Sequence, residues 1–161
     1  AYNIGKKDLG DGYSAKKYVN HFVKNLSKYL ADEGYNKTHL FDPSGFSTQA
    51  DTNLKDINRV ALKLIDYDFV KKCMGKSYFT IQTPQGEMTW KNTNEFLDPK
   101  SAFYNKDVKG IKTGTMASSY NIVVLYEKDG KKYLITCLAS HTNEDRYKAV
   151  QAAINTIINK K

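Results

Sequence analysis

Three consecutive residues, Lys112, Thr113 and Gly114, are of the types that can hold an anionic ligand. Lysine supplies a positive charge and threonine a hydroxyl donor, and hydrogen bonds to an ionised acceptor are roughly twice as strong as neutral ones. Glycine removes a side chain, so that an extended peptide can lie along the strand carrying all three. A triplet alone is a weak signal in a lysine-rich chain. Its surroundings strengthen it: Gly110 and Ile111 precede it, and a small polar stretch and the apolar run Ile122–Tyr126 follow. The histidines His21, His39 and His141 and the cysteines Cys73 and Cys137 lack metal-ligand spacing, so neither a metal nor another cofactor is expected.

The segments around the triplet give it a frame. Residues 120–127 and 132–140 are rich in β-branched and apolar residues, and Asp129-Gly130 between them predicts a tight hairpin. Thr142 then opens a helix, with Asp145 three residues on as a capping-box-like partner. Its apolar stripe is Tyr147, Val150, Ile154, Ile157 and Ile158, which needs a sheet face to cover it. Upstream, residues 14–33 read as an amphipathic helix capped by Ser14 and stopped at Gly34, with Val19, Phe22, Val23, Leu26 and Leu30 on its apolar side. A turn-rich loop surrounds Pro43 and Gly45. A second helix is expected over 51–68, capped by Asp51 or Thr52. Short strands over 77–82 and 87–91 follow, and 92–109 reads as irregular. The fold class is α+β, an antiparallel sheet with packed helices in one domain over 1–161, with no internal repeat or linker.

Composition is that of an ordinary globular protein, 40% hydrophobic and 26% charged. No apolar run approaches the ~20 residues of a membrane span. The net charge is +8, from 25 Lys and Arg against 17 Asp and Glu, but the lysines are dispersed. Without a zinc-finger, RRM or basic-helix signature, nucleic acid is not an expected partner. The dispersed charge makes a solvated basic surface, or one drawn to an anionic envelope surface. A single Cys73–Cys137 disulfide stays open for an exported protein. Ala1, with neither an initiator Met nor a signal-peptide pattern, is expected to follow a processing site or another cut.

Two separated motifs in order carry a resemblance: Asn36-Lys-Thr-His39 with Asp42-Pro-Ser-Gly-Phe46, and then Lys112-Thr113-Gly114. On them the sequence resembles the D-alanyl-D-alanine carboxypeptidase family of low-molecular-mass penicillin-binding proteins, over nearly its whole length. Asp42, Phe46 and Met116–Ser119 depart from the commoner residues. The resemblance implies a partial β-lactamase/transpeptidase-like fold and a serine-type hydrolase that forms an acyl-enzyme. Its partners would be peptidoglycan stem peptides ending in D-Ala-D-Ala, and β-lactams, outside the cytoplasm of a bacterium. It implies that Lys112, Thr113 and Gly114 form the catalytic strand, and that the Thr115 N–H donates to the oxyanion. Arg146 opens the last helix near the sheet edge, where a surface ion pair or a helix-face role is expected ahead of the other candidate role, binding the substrate carboxylate. His39 and Asp42 would hold the shape of their loop.

The same family uses Ser-x-x-Lys for nucleophile and base, and then Ser-x-Asn, ahead of Lys-Thr-Gly. Ser14-Ala-Lys-Lys17 fits the first literally, but it begins a helix that resembles a later family segment and lies too close ahead of Lys112. Ser119-Tyr-Asn121 fits the second, but follows Lys-Thr-Gly instead of preceding it. Ala1-Tyr-Asn-Ile-Gly5 resembles the continuation just after the family's Ser-x-Asn. The expectations are therefore that the nucleophile lies upstream, that this chain alone is inactive, and that Ala1 lies on the same side as Lys112. Bared apolar surface would then be covered by an N-terminal portion or by self-association. The alternatives are a class A-like β-lactamase fragment, against which Asp42-Pro-Ser-Gly argues, and a non-catalytic module that binds peptidoglycan peptides.

Overall fold

A computed structural model describes residues 1–159. They form two compact units, residues 1–57 and the described residues from 58 onward, taken separately below.

In the first unit, helices α1 (Tyr2–Leu9) and α2 (Ala15–Asp32) pack so closely at Gly5 that a Cβ there would lie 2.0 Å from the Tyr18 carbonyl oxygen. Ser14 caps α2 as its type suggests, its hydroxyl accepting the Lys17 N–H. The Tyr18 hydroxyl fastens the α1–α2 connection, accepting from the Tyr13 N–H and donating to the Gly10 carbonyl. In the loop that follows, Asp42 accepts from the backbone N–H groups of Ser44, Phe46 and Ser47 and from the Ser44 hydroxyl. The Ser44 hydroxyl and these amides hold its carboxyl far below the ordinary carboxylate range.

The helix expected over 51–68 is the shorter α3 (Leu54–Leu64), and a further, unexpected helix, α4 (Asp68–Met74), follows it. Neither Asp51 nor Thr52 caps α3. Asp51 is taken by His39, 2.5 Å away, and Thr52 by the Thr38 hydroxyl, so Asn53 accepts the Asp56 N–H instead. The break falls at Tyr67, whose backbone is extended and whose carbonyl starts α4.

In the second unit, β1 (Tyr78–Thr83) and β2 (Gly86–Lys91) make a two-stranded hairpin. A short 3-10 turn (Glu95–Leu97) follows, inside the stretch expected to be irregular. Strands β3 (Val108–Met116), β4 (Ser119–Lys128) and β5 (Lys131–Ser140) form an antiparallel sheet in the order β3-β4-β5, and α5 (Asn143–Asn159) covers one face. Asp129 and Gly130 both have positive φ, the type I′ geometry that Asp-Gly favours. Thr142 caps α5 through the Asp145 N–H.

The core lies between sheet and helix: Ile122, Val124 and Tyr126 of β4 meet Tyr147, Val150 and Ile154 of α5, with Phe96, Leu97 and Val108 closing one end. Ile158 is exposed and leaves the expected stripe. On the other sheet face, the Thr136 hydroxyl donates to the Asn58 carboxamide of α3. Because β4 is buried on both faces, it is a continuous apolar run rather than an alternating one.

Candidate active site

The Lys-Thr-Gly triplet lies on β3, the edge strand, opposite Val123, Ile122 and Asn121 of β4 in turn. Glycine at 110 sets the approach to it. Gly110 has φ +124, and a Cβ there would sit 2.8 Å from the Met74 carbonyl oxygen, so α4 reaches β3 only over a bare backbone. The register shifts between Val108 and Ile111, which re-aims the strand just before the triplet.

Alternation along β3 splits the candidate residues between two environments. Lys112 is exposed and its ammonium donates to the Thr113 carbonyl. Thr113 points inward, is only 6% exposed, and pairs its hydroxyl with that of Thr93 at 2.5 Å. Gly114 and Thr115 are exposed beyond it.

Arg146 is brought to the same strand end by the first turn of α5. It is 4% exposed, and among the described residues it forms no ion pair, so it is not a surface ion-pair partner. One guanidinium nitrogen donates to the Gly114 carbonyl (3.2 Å), the Thr115 hydroxyl (3.1 Å) and the Asn121 carbonyl (3.2 Å), and the other to the Asn143 carboxamide (2.5 Å). The guanidinium carbon lies 5.1 Å from the centre of the Tyr147 ring and 5.6 Å from that of Tyr120. A buried cation held by neutral dipoles and ring faces keeps its whole charge available to an anion. Its Nε has no hydrogen-bond partner.

A groove of about 530 Å³ opens beside this cluster, with Arg146, Asn143 and Thr93 on its wall along with Lys91, Glu95 and Asp98. Both acids are engaged. Glu95 accepts from Asn143 and Ser101, and Asp98 pairs with Lys91 at 2.6 Å. The Lys91 ammonium and then the Lys100 N–H hold the Asp98 carboxyl below its ordinary range.

The structure thus brings Lys112, Thr113, Gly114, Thr115 and Arg146 to one strand end. Thr93 joins them without having been singled out in the sequence, because it lies in a stretch with no periodicity. Ser14 caps α2. Asn121 is structural: its side-chain oxygen accepts the Ala139 N–H at a β5 irregularity and its carbonyl serves Arg146. Cys73 and Cys137 are both free thiols. Among the described residues no group of three His, Cys, Asp or Glu side chains could hold a metal, and no helix is long and apolar enough to cross a membrane.

An edge strand bearing Lys-Thr-Gly, a covering C-terminal helix and an α+β architecture make this the fold of the DD-transpeptidases and penicillin-binding proteins. The chain is similar to the Streptomyces K15 DD-transpeptidase, with a TM-score of 0.77 and 23% identity over 92% of this chain and 58% of that one. It is similar also to penicillin-binding protein D2 of Listeria monocytogenes in its cefotaxime-bound form, with a TM-score of 0.69 and 22% identity over 86% of this chain and 57% of that one. This chain therefore spans under two thirds of the length of either. No protein-family description matches the sequence. No curated protein matches it either.

Proposed function

We propose that this chain forms the carboxylate-recognising half of a serine-type D-Ala-D-Ala carboxypeptidase that trims peptidoglycan stem peptides and is acylated by β-lactams. The observation that carries the proposal is the buried, unpaired Arg146 fastened to Gly114 and Thr115 at the end of the Lys-Thr-Gly strand. That arrangement fixes positive charge where the terminal carboxylate of a peptide lying along β3 would end. Lys112 adds a second charge, Gly114 admits the peptide backbone, and the Thr115 N–H donates to the developing oxyanion, a contact typically worth ~3 kcal/mol of barrier. The attacking serine and its lysine base come from outside these 161 residues. The serine adds to the D-Ala-D-Ala carbonyl, D-alanine leaves, and water releases the acyl group. The setting is extracytoplasmic.

The test is labelling with a fluorescent penicillin. The chain alone is expected to form no covalent adduct, and the protein completed with the Ser-x-x-Lys and Ser-x-Asn portion is expected to form a long-lived one. A band on the chain alone that disappears in Ser14→Ala would overturn the proposal. Rapid release of the adduct would instead mark a β-lactamase, and reversible binding with no adduct a non-catalytic peptide-binding module.

A further inference from the structure

The environments of Thr93 and Thr113 differ in a way that decides which hydroxyl meets a ligand. Thr113 is buried, whereas Thr93 is exposed and lines the groove beside Arg146. Their oxygens are 2.5 Å apart, and among the described residues neither hydroxyl has another partner. A buried hydroxyl hydrogen without an acceptor is costly. If Thr93 donated to Thr113, the Thr113 hydrogen would be stranded in the interior. If Thr113 donates to Thr93, the remaining hydrogen belongs to the exposed residue, and donation into the Thr93 oxygen strengthens its own O–H as a donor.

Thr93 is also held in place more firmly than its exposed loop position suggests. The Tyr147 hydroxyl, itself in the core, donates to the Thr93 carbonyl at 3.0 Å and accepts the Glu95 N–H at 3.1 Å. Asn92 donates to the Lys76 carbonyl and accepts the Asn94 N–H, and Asn94 in turn accepts the Phe96 N–H. A donor fixed in advance spends no free energy on ordering when the ligand arrives. The groove acids Glu95 and Asp98 are occupied by their own partners and leave the positive end at Arg146 open to an anion.

We propose that Thr93 is a further ligand-binding residue, which donates its hydroxyl hydrogen to the terminal carboxylate of the substrate while Thr113 donates to Thr93 from behind. This rests on the function proposed above. It is tested in the completed protein by comparing kcat/KM and affinity for an acyl-D-Ala-D-Ala peptide with those for the same peptide ending in a C-terminal amide. Wild type is expected to prefer the acid. Thr93→Val should lose about 10-fold or more on the acid, the size of a hydrogen bond to a charged group, and little on the amide. Thr93→Ser should keep the wild-type preference. Thr93→Ala serves the same purpose should the valine variant fail to fold by circular dichroism. An acid/amide ratio unchanged in Thr93→Val, or equal losses on both peptides, would overturn the role of Thr93 while leaving the proposed function standing. A wild-type protein with no preference for the acid would overturn both.

Discussion

The second unit contains two antiparallel arrangements of similar sequence character and opposite fates. In the β1–β2 hairpin, Phe79 faces Trp90 and Ile81 faces Met88, pairs that favour strand pairing, yet nearly every residue is exposed. In the β3–β4–β5 sheet, β4 is buried on both faces and α5 seals one of them. A two-stranded ribbon is marginal by itself, and this one is tied down at its base, where Asn92 donates to the Ser77 and Lys76 carbonyls and Ser77 to that of Leu97. The difference shows what strand propensity can and cannot do. Propensity and a turn make a hairpin, but only burial fixes a strand well enough to place donors for chemistry. The Lys-Thr-Gly triplet sits on the strand backed by β4, and the hairpin contributes only Lys91, at its end, to the groove wall.

The largest effect expected from this contrast is in packing. Ile122→Ala should destabilise by about 4 kcal/mol, from lost burial and a cavity, whereas Ile81→Ala on the open hairpin should stay within about 0.5 kcal/mol, both read by denaturant unfolding. Comparable losses would mean that the hairpin face is covered. Arg146→Ala should cost about 3 kcal/mol, because the Gly114 and Asn121 carbonyls lose a buried donor. An unchanged midpoint would mean that Arg146 is solvated. Gly110→Ala should cost about 2 kcal/mol, through its positive φ and the contact with the Met74 carbonyl, and Gly86→Ala beside the hairpin turn should cost less, because it has the positive φ but nothing within 4 Å to meet the added carbon.

The smallest effect is in pH. The Asp98 carboxyl lies below its ordinary value of 3.8, so the support that the Lys91–Asp98 pair gives the hairpin base is complete above that value and lost as pH falls below it. Because Lys91 is raised above 10.5, that support is also complete below 10.5 and lost above it. Amide exchange of β1 and β2 should therefore rise at both extremes while β4 stays protected. Simultaneous loss in both regions would show that they unfold as one.

Much of this was legible in the sequence where the cause is local. Asp129-Gly130 demands its turn, Ser14 and Thr142 cap the helices that follow them, and the apolar period places Tyr147, Val150 and Ile154 on the core. What was not legible depends on distant partners. Asn53 caps α3 only because His39 and Thr38 occupy Asp51 and Thr52. An arginine in a polar helix start is ordinarily exposed, and Arg146 is buried because oxygens from Gly114, Thr115 and Asn121, 25 to 32 residues away, converge on it. Thr93 acquires its place through Tyr147, more than 50 residues downstream. The triplet could be located by its types alone, but which of its side chains faces outward is set by the pairing of β3 with β4.

The central claim is that the end of β3 recognises a carboxylate for acyl transfer. It is tested most directly by the second-order rate of penicillin acylation of the completed protein, compared with its Lys112→Ala and Thr113→Val variants. Both variants are expected to be acylated at least about 100-fold more slowly, since Lys112→Ala removes a charge beside the carboxylate and Thr113→Val removes the hydroxyl that donates to Thr93. Lys112→Ala, an exposed change, should melt at the wild-type temperature. Wild-type acylation rates in both folded variants would contradict the assignment of the site.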